Sequence, residues 1–139
     1  MASNPQRRRP PVVTWLAVGV LTFAAFYLAR LVLGLTLPDL PLSVPVWYLP
    51  LTGAIWGGAA CLVGIGLWRG WRDAYRALFW LTPVYLAWYW IDRLFFVRSD
   101  FAQRSQPAAL LLSAVGAALL YLALTRRSAR SYFEEGRDG

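Results

Sequence analysis

Few residues in this chain can do chemistry, and the shortage narrows its function. The 139 residues include no histidine and a single cysteine, Cys61. Without imidazole there is no His-ligated haem or zinc and no triad built on a histidine base. A lone thiol forms no intrachain disulfide. Cys61 sits inside an apolar run with no base near it in sequence, where a thiol is inert packing. The 14 cationic side chains are all arginines, set against 7 acidic residues. One acid stands apart from the loops and tails: Asp92, in Tyr89-Trp90-Ile91-Asp92-Arg93-Leu94. This set reads as non-enzymatic, with no cofactor and no metal site.

Asp92 is the one candidate for polar chemistry inside an apolar stretch. An ionised carboxylate at the bilayer centre costs about 2.5–3.5 kcal/mol on insertion scales. Asp92 is therefore expected to face other helices and to have a partner. Arg93 is a poor one, because adjacent helix positions point apart. Trp88, four residues earlier, shares the face of Asp92 and can offer its indole N–H. Arg30 lies at a similar depth on the first apolar run, and an Arg30–Asp92 ion pair is the expected arrangement. The competing reading makes Asp92 a proton- or cation-coupling site, with Trp88, Tyr85 and Tyr89 lining a cavity. Transporters place such sites near the midplane. Asp92 is six residues short of Arg98, which puts it roughly 9 Å from the outer boundary on helical rise. That depth favours the ion pair.

The elements that must position these residues follow from composition. The chain is 58% hydrophobic and 15% charged, whereas ordinary soluble domains are about a quarter charged. Apolar runs cover about residues 12–35, 47–68, 77–97 and 107–124. A hydrocarbon core of about 30 Å needs roughly 20 apolar residues, and a helix satisfies its own backbone there. The expected fold is an all-α membrane protein with four transmembrane helices in an antiparallel up-down bundle. Residues 1–11 form a basic tail, and 126–139 form a C-terminal tail able to extend the fourth helix. The first run exceeds the ~7–15 residues of a cleaved signal, and no polar cleavage region follows it, so it is read as a retained span.

Arginine placement sets the orientation. One side holds Arg7, Arg8, Arg9, Arg69, Arg72, Arg76, Arg126, Arg127, Arg130 and Arg137; the other holds Arg98 and Arg104, with Arg30 and Arg93 near helix ends. Short loops rich in arginine stay inside, which predicts both termini in the cytoplasm of a bacterial plasma membrane. Arg69, Arg72 and Arg76, beside Trp71 and Tyr75, are candidate contacts for anionic lipid at about 1 kcal/mol each. A sequence pI near 10.3 could suggest nucleic acid. The arginines instead mark helix ends and leave no soluble domain over, so no nucleic-acid partner is expected.

Helices in lipid associate by close packing and interhelical hydrogen bonds. Gly53, Gly57 and Cys61 recur every four residues, as do Ala54–Gly58 and Ala60–Gly64; Ala109, Ser113 and Ala117 repeat the pattern in the fourth run. Packing within the bundle is the expected use, with a homodimer face as the alternative. Pro83 is expected to kink the third helix, Thr82 partly compensating. Trp15, Trp68, Trp71 and Tyr121 read as inner interface anchors, and Trp47, Tyr48, Tyr89 and Trp90 as outer ones.

The stretches Leu40-Pro41-Leu42-Ser43-Val44-Pro45-Val46-Trp47-Tyr48-Leu49, Gly53–Gly58, Gly66-Leu67-Trp68-Arg69-Gly70 and Tyr89–Leu94 together resemble small four-helix integral membrane proteins of bacteria, notably of the Chloroflexota type. The resemblance covers about residues 12–125. It implies an unbroken four-span bundle in the inner membrane and brings with it no substrate, reaction or cofactor. The function expected is that of a non-catalytic accessory or scaffold protein. Its partners would be the lipid bilayer, other membrane subunits or a second copy. The alternative is a small oligomeric transporter or channel using Asp92 and the aromatics around it.

Overall fold

A computed structural model describes residues 9–37, 44–96 and 103–134, the last residue of the middle stretch by its backbone alone. Arg7, Arg8, Arg98, Arg137 and most of the proline-rich connection after the first apolar run lie outside the described residues. Every regular element among those described is helical. The elements are α1 (Pro11–Thr36), α2 (Tyr48–Arg69), α3 (Arg72–Ile91), a π-helical turn (Asp92–Phe96), α4 (Gln106–Thr125) and α5 (Arg127–Glu134). Proline opens α1 and α4 at positions whose N–H groups have no helical partner anyway. Gly70 closes α2 in the left-handed conformation, φ 76°. Its N–H bonds Leu67 O and the Trp71 N–H bonds Gly66 O, which is a Schellman ending.

Three helices are long and apolar enough to cross a membrane: α1, α2 and α4, with mean hydropathies of 2.1, 1.6 and 2.1. The expected span over 77–97 departs from this. Its α-helix runs from Arg72 to Ile91 and does not join that group among the described residues. Tyr75, Trp80, Tyr85, Trp88, Tyr89 and Trp90 take places that aliphatic residues fill in the other helices. Such rings carry a polar tip that suits interfaces and helix contacts better than bare hydrocarbon.

The closest packing is between α1 and α2, which run antiparallel along a seam of small residues. A Cβ added at Gly53 would lie 2.8 Å from the Leu31 backbone nitrogen. One at Gly57 would meet the Leu28 side chain at 3.1 Å, and one at Gly64 the Leu21 side chain at 2.7 Å. Ala60, itself buried, completes the row. The seam is therefore 53-57-60-64, spaced four, three and four, because 3.6 residues per turn carries a strict four-residue row off the contact line. This corrects the expected row: Cys61 is half-buried beside the seam, and Gly58 meets nothing within 4 Å.

The apolar core gathers at the arginine-rich end, where the ends of all four long helices meet α5. Leu67, Leu124 and Ala129 are fully buried there, with Val13, Ala17, Ala74 and Phe133 around them. The helix breaks at Arg126 (φ −59°, ψ 134°). In place of an extension of α4, residues 127–134 form a separate amphipathic helix folded across the bundle end. Phe133 stacks on Tyr75 at 4.9 Å between centroids, and the Tyr75 hydroxyl donates to Leu124 O. The outward pair Arg130–Glu134, 3.8 Å apart and exposed, adds little.

Pro83 sits within α3 without ending it. Proline has no N–H for the carbonyl four residues earlier, which is Phe79 O. The Tyr121 hydroxyl from α4 donates to that oxygen at 3.3 Å, so compensation comes from another helix. Thr82 Oγ1 bonds Leu78 O instead.

The seam makes a prediction. Gly53→Leu should lower the melting temperature of the protein in detergent, with a cost of about 1–3 kcal/mol for overpacking, whereas Gly58→Leu should leave it unchanged. Equal behaviour of the two variants would show that α1 and α2 do not meet along this line. Phe133→Ala removes a buried ring and should cost about 3–5 kcal/mol, read as a comparable loss of thermal stability; no loss would mean that α5 is not part of the core.

Candidate functional site

The polar residues of the bundle meet at the end opposite the core. Tyr48 begins α2, its N–H bonded to Pro45 O at 2.9 Å. Asp92 follows α3 at the start of the π-helical turn. Because α2 and α3 are antiparallel, the first turn of one lies level with the last turn of the other. The Tyr48 hydroxyl donates to Asp92 Oδ1. Both residues are buried, at 7% and 8% exposure. A buried carboxylate needs such a donor, since an unpaired one is far more costly than a solvated one.

This corrects the expected Arg30–Asp92 pair. Among the described residues no ion pair joins the two; Arg30 instead lays its guanidinium 5.9 Å from the Tyr27 ring centroid. Arg93 faces elsewhere and donates to Ser105 Oγ at 2.6 Å and to the Tyr89 hydroxyl at 3.4 Å, tying the π turn to the start of α4. Trp88 packs on Trp56 at 5.3 Å and on Tyr85 at 5.9 Å, and no hydrogen bond joins it to Asp92 among the described residues. Tyr85 in turn meets the hydroxyl of buried Tyr27 at 2.9 Å and the edge of Phe23 at 4.9 Å. The residues singled out from sequence thus divide into three groups: Asp92 with Tyr48, Arg93 with Tyr89 and Ser105, and Trp88 within an aromatic cluster. Arg30 sits beside them on Tyr27. A π turn adds a residue to a helical turn and is common at functional sites.

Tyr48 was the residue missed. It reads as an interface anchor in the sequence, and its neighbour Trp47 is exposed in that way, at 61%. Depth was the available signal: Tyr48 and Asp92 occupy the same ends of neighbouring antiparallel helices. Ser105 and Tyr27 carried no comparable signal.

Below the aromatic cluster, α1, α2, α3 and α4 line a cavity of about 960 Å³ that is open on one side, where the lining residues Trp15 and Leu112 are exposed. Tyr85, Tyr89 and Trp56 lie at one end of it and Val12, Trp15 and Arg126 at the other. Asp92 is not among its lining residues. The small residues of α4 face this space. Ser113 and Ala117 line it, Ser113 Oγ returns to Ala109 O at 2.7 Å, and a Cβ at Gly116 would meet nothing within 4 Å. The expected close packing of the Ala109, Ser113 and Ala117 face is therefore absent, and α4 is held mainly near its two ends. Arg69 lies 5.5 Å from the Trp71 ring, while Arg72 and Arg76 lie in the first turns of α3, Arg76 exposed.

No protein-family model, curated protein or solved structure matches this chain.

Hydrogen bonds to charged groups contribute about 1.5–3 kcal/mol, so Tyr48→Phe should lower thermal stability in detergent clearly in the native background. It should do so much less in an Asp92→Leu background. Additive losses, measured as a double-mutant cycle, would show that the two side chains do not act as a pair.

Proposed function

We propose that this chain is a four-span protein of a bacterial plasma membrane, with both termini in the cytoplasm, working without catalysis as an accessory or scaffold for other membrane components. Support for the fourth span comes from connectivity. The end of α2 packs on α3 and the core through Gly66 and Leu67, at the arginine-rich end. The start of α4 lies at the opposite end, where Ser105 meets Arg93. If α2 and α4 both cross the bilayer, the chain must cross once more between them, and α3 is the helix in that interval. The arginines at one end then place both termini inside.

The accessory role rests on α4. Leu110, Leu111 and Val115 are 60%, 64% and 48% exposed and lie outside the cavity lining, and only Leu124 of the helix is buried. A span with so little contact within its own chain offers its apolar surface to neighbours in the membrane. A second reading, a small transporter or channel, would use Asp92. Its buried bond to Tyr48 and its place outside the cavity lining favour a structural role for that acid.

Two measurements test the proposal. Fusions of a fluorescent reporter active in the cytoplasm and of a phosphatase active in the periplasm should give signal only for the former at both termini. Photoreactive residues at Leu110, Leu111 and Val115, activated in intact cells, should crosslink to discrete foreign membrane subunits. A lone symmetric oligomer, or a phosphatase-active terminus, would overturn it.

A further inference from the structure

The cavity among the four long helices has a shape and a charge distribution that select an occupant. We infer that it is a phospholipid site, holding an acyl chain of a cytoplasmic-leaflet lipid whose anionic headgroup rests on Arg126. The inference builds on the membrane reading above and adds a ligand class to it.

The lining runs from Val12 to Phe23 on α1 and from Leu78 to Tyr89 on α3. Each interval is about 16 Å at helical rise, close to one leaflet of a hydrocarbon core about 30 Å thick. On α4 the lining runs from Leu112 to Arg126, about 21 Å, reaching past the hydrocarbon to the headgroup level at Arg126. The space starts at the arginine-rich end and stops at the cluster of Trp56, Tyr85 and Trp88, whose rings are 5.0–5.9 Å apart. A partner helix does not suit it. A spanning helix needs the full thickness of about 30 Å, and the lining on α1 and α3 covers only about half of it.

The two hydroxyls that line the middle, Thr82 and Ser113, are both bonded to carbonyls of their own helices at 2.7 Å. They ask nothing of an occupant. Gly19 and Gly116, on opposing walls, have no heavy atom within 4 Å of where a Cβ would stand, so the walls are recessed for a chain-like guest. Charge enters only at the mouth. Arg126 lines it, exposed and without an ion pair among the described residues, and exposed Arg127 follows it at the start of α5. A guanidinium at the headgroup level recognises phosphate and an anionic lipid surface.

The protein purified in mild detergent and stripped of lipid should be titrated with dioleoyl-phosphatidylglycerol or dioleoyl-phosphatidylcholine and its bound lipids counted by native mass spectrometry. One phosphatidylglycerol should be retained about fivefold more strongly than phosphatidylcholine, as expected for one cationic contact near a membrane surface. Arg126→Gln should erase that preference while phosphatidylcholine binding persists. Gly116→Phe and Gly19→Phe, which fill the space from opposite walls, should remove the retained lipid of either kind. Gly58→Phe, outside the cavity and equally free of neighbours, should change nothing. Equal retention of the two lipids by the unaltered protein, or undiminished phosphatidylglycerol binding by both cavity-filling variants with unchanged melting, would overturn the inference. Those outcomes leave intact the crosslinking and reporter results on which the accessory role depends; a chain released from membranes by alkaline carbonate would end both.

Discussion

The structure depends on the approach of two backbones along α1 and α2. In hydrocarbon, burying one leucine against another gains little over burying it in lipid, so helices gain by fitting together and not by leaving water. The seam of Gly53, Gly57, Ala60 and Gly64 lets Leu31, Leu28 and Leu21 of α1 settle against the α2 backbone. This hairpin is the most closely packed part of the bundle. Its register also sets the remaining geometry. It fixes where Tyr48 stands at one end and where Leu67 enters the core at the other, and α3 follows through the tight turn at Gly70.

The two ends of the bundle solve opposite problems. At the arginine-rich end the need is to cover apolar side chains where the helices emerge, and α5 does so with Phe133 and Ala129. At the other end polar groups must be satisfied where water is scarce. Tyr48 supplies a donor to Asp92, and Arg93 bonds Ser105 and Tyr89. Between them, Pro83 leaves the Phe79 carbonyl without its helical donor, and Tyr121 supplies one from α4. That single hydroxyl does two jobs. It satisfies a backbone acceptor inside an apolar environment and it holds α4, which has few other contacts along its length.

Much of the helical layout was legible because apolar run length maps directly onto span length. The runs 12–35, 47–68 and 107–124 become α1, α2 and α4 with ends shifted by only one or two residues, and Gly70 ends α2 as its chemistry requires. What the sequence left obscure depends on relations between helices. A four-residue spacing of small residues names a face only approximately, so Cys61 entered the expected seam where Ala60 belongs. Charge complementarity favours an Arg30–Asp92 pair, but lateral position decides the partner, and Tyr48 is the level neighbour on the adjacent helix. The fold-back at Arg126 was hidden because Arg126-Arg127 reads equally well as the basic end of a span or as the start of a surface helix. The pattern of Ala129, Tyr132 and Phe133 carried the distinguishing signal, since i, i+3 and i+4 apolar positions form one face.

The contrast between α2 and α4 ties fold to role. Both contain rows of small residues, yet only that of α2 is filled by a neighbour. A small residue narrows a helix on one side, and the resulting groove is occupied either by another backbone or by something else of low polarity. In α2 the occupant is α1. In α4 the groove of Ser113, Gly116 and Ala117 opens on the cavity, while its opposite face presents Leu111 and Val115 outward. Pinned near its ends by Ser105 and Tyr121 and nearly free between them, α4 couples an internal space to an outer surface. If the proposed lipid occupies the space and the proposed partners the outer face, the two would be linked through the position of this one helix.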